Sequence, residues 1–320
     1  MKRIGFLTSC LLETSLENLI RWTQGTKFDA LEVAAWPSGS KRKFKGSHID
    51  VDSLNASADR FKDLLAEKGK TISALAYYDN LLDPDAAVRD HVRSHLRKVI
   101  DAAAALNVNL VGTFVGAHPN LTPSESFREI VKELRKILSF AKDRGVRVMI
   151  ENCPMTGWQK FNAPGSLAYS PELWSALFHE LPFENFGLNF DPSHLFWLAI
   201  DYEKAVRDFR EKIFHVHAKD CELLPEGLYR YGIYGPQLTS EPRDPGWWRY
   251  RLPGKGSIDW ARFTGALHEA GFEGTLSIEL EDPEWEDSEE AIKDALLRGA
   301  NFLSRFWPPR DQNSTKASIP

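Results

Sequence analysis

Eight times along its 320 residues the chain passes from a short apolar run into a stretch of helical periodicity, and that alternation limits the folds open to it. The apolar runs fall at 4–8, 30–36, 71–77, 110–115, 147–152, 186–191, 213–217 and 275–280. The helical stretches fall at 15–22, 54–68, 85–106, 123–144, 171–180, 202–210, 258–269 and 288–306. Gly69, Gly145 and Gly271 stand where three of these helices should end, and Pro171 stands at the start of a fourth. Eight strand–helix units predict an α/β fold, a single-domain (β/α)8 TIM barrel over residues 1–307. A doubly wound open sheet is the competitor. Eight regular units, with no Gly-x-Gly-x-x-Gly after the first strand, disfavour it.

Two segments depart from the pattern. Residues 41–57, basic and then polar, are expected as a flexible loop after the second strand. Residues 222–256 are far longer than an ordinary connection and make an insertion after the seventh strand. They carry Tyr229, Tyr231, Tyr234, Trp247, Trp248 and Tyr250, interleaved with Arg230, Arg243, Arg249 and Arg251. Aromatics and guanidiniums suit stacking on a sugar and clamping its oxygens, so a lid is expected. A subunit interface in a homo-oligomer uses the same residue types and stands beside it. The polar, Pro-bounded stretch 308–320 is expected as a disordered tail.

Composition removes several classes of function. A net charge of −5 without a basic stripe argues against nucleic acid. Cys10, Cys153 and Cys221 form no disulfide framework and no Cys-x-x-Cys, which suits a reducing compartment. No run is long enough to cross a bilayer, and the N-terminus lacks a signal-peptide pattern, so a cytoplasmic protein with no membrane partner is expected. There is no Gly-x-Ser-x-Gly and no Gly-rich phosphate cradle.

Barrel chemistry collects at the C-terminal ends of the strands. The seventh run ends Ile213-Phe214-His215-Val216-His217, which puts both histidines on one face with His217 nearer the mouth. Alone, the pair reads equally well as hydrogen-bonded core histidines. The neighbouring strands change the balance. The fifth ends at Glu151, the sixth at Asp191-Pro-Ser-His194 and the eighth at Glu279. One polar group at a strand end can be structural, but four on consecutive strands at matching depth are hard to obtain by accident. Three converging carboxylates would repel and force protonation unless a cation lies between them. Two Glu, one Asp and one His make a mostly hard O/N donor set that suits Mn²⁺ first, with Mg²⁺, Co²⁺ and Zn²⁺ also compatible. His215, deeper on the face, reads as support.

Glu151, Asp191-Pro-Ser-His194, His215-Val-His217, Gly254-Lys-Gly-Ser-Ile-Asp-Trp260 and Ser277-Ile-Glu279 together resemble the xylose isomerase-like barrel superfamily. That group takes in ketose 3-epimerases, hydroxypyruvate isomerase and inosose-processing enzymes, and the resemblance spans nearly the whole chain. It implies Glu151, Asp191, His217 and Glu279 as ligands of one divalent metal, Glu151 and Glu279 as the acid/base pair, and His194 as a substrate contact. The implied reaction is isomerisation or epimerisation of a small-molecule carbohydrate, a sugar or keto-sugar. One glutamate removes a proton beside a carbonyl, and a metal-stabilised enediolate is reprotonated by the other.

The same site can run as a lyase on a 3-keto-glycoside, expelling a leaving group by β-elimination, and the aromatic insertion favours so large a substrate. A non-catalytic sugar-binding subunit would need no acid/base pair. Related AP endonucleases use three zinc ions and an Asp-x-His, where this chain has Asp259-Trp-Ala. Ketose 3-epimerases carry an Arg six residues after the metal-binding His; Leu223 stands here, so Arg230, Arg249 or Arg251 would have to supply that clasp. Lys219 or Asp220, His118, Trp36 and, less strongly, Tyr77 and Glu32 complete the candidate substrate contacts. For Glu32 a structural ion pair is the stronger expectation.

Overall fold

Each of the eight apolar runs becomes a strand in the computed structural model, which describes residues 2–38, 46–54, 57–155, 164–238 and 245–308. They are β1 (Arg3–Phe6), β2 (Ala30–Ala34), β3 (Thr71–Ala76), β4 (Leu110–Thr113), β5 (Arg147–Glu151), β6 (Phe186–Phe190), β7 (Ile213–Ala218) and β10 (Thr275–Ile278). Two further strands, β8 (Asp220–Leu223) and β9 (Trp248–Arg251), form a separate antiparallel pair. The main sheet is parallel throughout, in the order β1-β10-β7-β6-β5-β4-β3-β2. A parallel bridge between Leu7 and Glu32 draws its two edges together into a nearly closed TIM barrel.

The helices are α1 (Leu16–Trp22), α2 (Ala58–Lys68), α3 (Ala86–Ala105), α4 (Pro123–Lys142), α5 (Pro171–Glu180), α6 (Pro192–Trp197), α7 (Tyr202–Asp208), α8 (Pro225–Tyr231), α9 (Trp260–Glu269) and α10 (Glu289–Leu303). Their starts follow side-chain caps: Ser15, Asp85, Asp201, Asp259 and Ser288 each accept from a first-turn N–H, and Thr122 with Glu125 forms a reciprocal capping box. Gly69 closes α2 at φ 61°, a left-handed conformation that glycine adopts without a Cβ clash. Along α4, Ile130, Leu134, Ile137, Leu138 and Ala141 form the buried stripe that seats the helix on the barrel. No helix among the described residues is long and apolar enough to cross a membrane.

Period-two alternation separates barrel lining from helix contacts. On β6, Phe190 meets Trp174 and Phe263 in the helical layer, while Asn189 bonds inward to Tyr78. On β7, His215 and His217 likewise face inward. Short α6 was not expected from periodicity. Asp191 caps it and Pro192 occupies its first position, so the strand end and the helix start share one tripeptide.

The insertion at 222–256, expected as a lid or a subunit interface, is anchored to the barrel at its base. Its strands β8 and β9 pair in register Asp220↔Arg251 through Leu223↔Trp248, with α8 between them. Trp248 stacks on Trp197 of α6 with centroids 4.5 Å apart, and Trp247 and Cys221 are buried in the same cluster. The base of the hairpin is thereby pinned. Its tip is the exposed part, with Tyr229, Ile233, Tyr234 and Leu238 all turned to solvent. Of the expected loop at 41–57, residues 46–54 and Ser57 are described: Ser47 bridges to Ala35, and His48 bonds Thr8 and Leu11. Residues 39–45 and 55–56, Arg243, and 309–320 of the expected tail lie outside the described residues.

Asp220 organises the return from the hairpin to the barrel. Its carboxylate accepts from the N–H groups of Cys221 (2.8 Å), Gly254 (2.9 Å) and Ile258 (3.0 Å) and from Trp260 Nε1 (2.8 Å). A Cβ on Gly256 would lie 2.4 Å from that carboxylate, which explains the second glycine of Gly254-Lys-Gly-Ser. Both Asp220 oxygens are thus taken up by the return loop, and no ion pair with Lys219 is among the described contacts. Asp220→Ala leaves four donors without their acceptor and should cost about 3 kcal/mol or more of stability, read as a lower urea midpoint.

Candidate metal centre at the barrel mouth

Glu151 ends β5, Asp191 follows β6, His217 lies in β7 and Glu279 follows β10, so four neighbouring strands each deliver one donor. One oxygen or nitrogen from each of the four lies within 4.8 Å of the others. His217 Nδ1 stands between two carboxylates, 3.3 Å from Glu151 Oε1 and 3.0 Å from Glu279 Oε2. Asp191 divides its oxygens. Oδ1 caps α6 by accepting from Ser193 N at 2.8 Å. Oδ2 is buried and makes no hydrogen bond among the described residues, although His194 Nε2 (3.2 Å) and Lys219 Nζ (3.3 Å) lie close.

Asn152 fixes the main chain there, accepting from Asp191 N at 2.7 Å and donating to Asp191 O at 2.9 Å. An orphaned carboxylate oxygen, held rigidly and facing two further carboxylates and an imidazole, fits a divalent cation.

Beneath this ring lies a buried polar chain. Ser73 Oγ donates to Leu31 O (3.3 Å) and lies 3.1 Å from His215 Nε2, and His215 Nδ1 donates to Asn189 Oδ1 (3.1 Å). Asn189 Nδ2 donates to the Tyr78 hydroxyl (2.7 Å), which donates to Glu32 Oε1 (2.6 Å). Glu32 in turn accepts from His217 Nε2, 3.0 Å from Oε2. The carboxylate thus orients the imidazole whose other nitrogen faces the cluster. Burial opposes a charge on Glu32, but His217 and His215 outweigh it and lower its carboxyl to about 2. Burial lowers His215 to about 4, which keeps it neutral as the chain requires. Burial also disfavours a charged His217, yet Glu32 and Glu279 hold its pKa well above the ordinary histidine value. Gly112 makes room for this chain, since a Cβ there would meet the Tyr78 hydroxyl at 2.3 Å.

Around the ring, the structure brings in some expected side chains and leaves out others. His194 Nε2 lies 3.1 Å from Glu151 Oε1, and its Nδ1 lies 3.0 Å from the Tyr250 hydroxyl. Lys219 is buried with Nζ 2.6 Å from Glu279 Oε2 and 4.3 Å from the Tyr250 ring centre. Arg249 and Arg251 do not reach the cluster. On β9 they take the face opposite Tyr250: Arg249 pairs with Glu222 at 2.9 Å and Arg251 with Asp282 at 3.1 Å.

His118 Nδ1 accepts from Asn120 N in its own loop, and no hydrogen bond among the described residues ties it to the ring. Trp36 packs against Tyr77 and Tyr78 with centroids 6.1 and 6.2 Å away, behind the site, as a wall of the Glu32–Tyr78 layer.

A family model described as xylose isomerase-like TIM barrel matches residues 20–302. The chain belongs to this family. An inosose isomerase from Halalkalibacterium halodurans is 27% identical over 243 residues, 75% of this chain and 77% of that protein. Among solved structures, the IOLI protein with a bound zinc atom superposes with a TM-score of 0.70 at 20% identity, covering 96% of this chain and 100% of that one. The probable 3-DHS dehydratase AsbF from Bacillus anthracis gives a TM-score of 0.68 at 15% identity, covering 94% and 98%. At those identities the structural likenesses speak for the fold alone.

The sequence singled out Tyr250 only among the insertion's aromatics, and did not single out Tyr78, Asn152, Asn189 or Glu281. Three of them left a trace: Asn189 and Glu281 stand two residues from Asp191 and Glu279, and Tyr250 alternates with two arginines. Tyr78→Phe removes both a donor and an acceptor from the inner chain. It should lower unfolding free energy by about 1–3 kcal/mol in urea titrations while leaving the fold's circular dichroism unchanged.

Proposed function

We propose that this family member is a divalent-metal-dependent isomerase or epimerase of a sugar or keto-sugar. The observation that supports it most directly is the placement of Glu151 and Glu279 on either side of His217 Nδ1, at 3.3 and 3.0 Å, beside the orphaned Asp191 Oδ2. Glu151, Asp191, His217 and Glu279 would hold the cation. When bound, it supplies a Lewis acid that polarises a substrate carbonyl and makes the neighbouring C–H acidic. The donor set suits Mn²⁺ first and accommodates Mg²⁺, Co²⁺ or Zn²⁺; the zinc in the IOLI protein supports a divalent ion.

The residues of the chain then divide the proton work. One glutamate removes the proton next to the carbonyl, and the other returns one to the opposite face of that carbon or to its neighbour. His194 has Nε2 against Glu151 and Nδ1 against the Tyr250 hydroxyl, so its imidazole meets a substrate oxygen by exchanging one of those partners. Lys219 stands where negative charge develops on the enediolate. The exposed side of the ring is at Glu279, whose side chain is 14% accessible against 0–1% for the other three. Substrate therefore enters over β10.

A lyase on a 3-keto-glycoside is the second reading, favoured by Tyr250. Its hydroxyl, 3.0 Å from His194 Nδ1, is a proton donor beyond the glutamate pair and can serve a leaving group.

The test is incubation of chelator-stripped and Mn²⁺-loaded protein with keto-glucosides, ketohexoses and inososes in D₂O. A sugar product unchanged in mass apart from incorporated deuterium indicates the isomerase or epimerase; a released aglycone or unsaturated sugar indicates the lyase. Glu151→Gln and Glu279→Gln should each lower kcat by about 10²–10⁴-fold. Chelation should abolish turnover and Mn²⁺ should restore it. Turnover that survives chelation and both substitutions rules the proposal out.

A further inference from the structure

We infer that Lys219 and Glu281 form a movable counter-charge pair for the candidate metal ligands, and that the position of the Lys219 ammonium sets how tightly the cation is held. This rests on the metal reading above and concerns two residues outside the four-donor ring. The Lys219 side chain is 2% accessible, and its ammonium touches two of the four ligands. Nζ lies 2.6 Å from Glu279 Oε2 and 3.3 Å from Asp191 Oδ2. Glu279 Oε2 is the same oxygen that stands 3.0 Å from His217 Nδ1. The ammonium therefore sits against the carboxylates a dication would occupy, and like charges this close in a buried site repel strongly. Both cannot hold the same oxygens.

The fold provides a second station. Glu281 lies two residues beyond Glu279, and its Oε2 is already 3.3 Å from Nζ. It is not among the four donors, and its side chain, 33% accessible, is more open to water than any of theirs. The Tyr250 ring, 4.3 Å from Nζ, offers a face over which the ammonium can move while staying in favourable contact. While no cation is bound, Lys219 neutralises Glu279 and Asp191. When one binds, Lys219 passes to Glu281 and comes to rest at the open edge of the ring. There its three N–H donors face an incoming substrate oxygen. Metal loading and the readiness of Lys219 for substrate become one event.

The pair is tested by Mn²⁺ affinity of chelator-stripped protein, measured without substrate from the electron paramagnetic resonance of free Mn²⁺. Lys219→Met removes the competing charge at similar length and should tighten Mn²⁺ binding by roughly tenfold or more. Glu281→Gln removes the second station and should weaken it several-fold. The double variant should match Lys219→Met, because Glu281 acts through the lysine. Circular dichroism and urea midpoints confirm that each variant is folded. Binding that is unchanged or weaker in folded Lys219→Met overturns the inference. So does a Glu281→Gln effect that is absent, or that persists undiminished without the lysine. If no form binds Mn²⁺, the metal reading falls and this inference falls with it.

Discussion

The structure depends on how it accommodates negative charge inside a barrel. Glu32, Glu151 and Asp191 are buried, and Glu279 is nearly so, within a single polar column. Charges of one sign in such a medium are tolerated only when each has a partner of opposite sign or gives up its ionised form. β7 supplies His215 and His217, α6 returns His194, and the end of β7 adds Lys219. The layers differ in kind. The lower one is closed, since each donor from Ser73 to Tyr78 has its acceptor and the chain ends on Glu32. The upper one is open, since Asp191 Oδ2 has close cations but no hydrogen bond. A fully satisfied layer holds a partly satisfied one in place, which is the arrangement expected of a site built to receive something.

The barrel and the ring of four were legible in the sequence because both are written in strand-local terms. An apolar run with a polar residue at its end locates a strand and its mouth together. Glu151, Asp191, His217 and Glu279 could be aligned without knowing any inter-strand contact. The inner chain was not legible, for a physical reason. The β2–β3 pairing shifts register at Leu31/Glu32 and the β6–β7 pairing shifts at Leu188/Asn189. Such irregularities re-aim side chains, so counting in twos along one strand does not tell which residues of the next it will meet. Tyr78 lies beyond the end of β3, where the apolar run no longer defines a face.

The arginines of the insertion were misplaced for a different reason. Composition suggested that aromatics and guanidiniums act together, whereas β9 sends them to opposite sides. Arg251, with Asp282 and Glu284, ties the hairpin to the end of β10; Trp248 and Tyr250 tie it to α6 and to His194. What looked like one binding surface is two fastenings, and only Tyr250 belongs to the site.

That alternation restricts how the hairpin can vary. A change of one residue between β8 and β9 that slipped their pairing by a single step would turn β9 over, presenting Arg249 and Arg251 to His194 and sending Tyr250 out toward Asp282. A change of two would leave each side chain on its present side. The long connection between β8 and β9 can take up changes of length, so it is the register of β9 on β8, and not the length of the insertion, that keeps Tyr250 beside the histidine of α6.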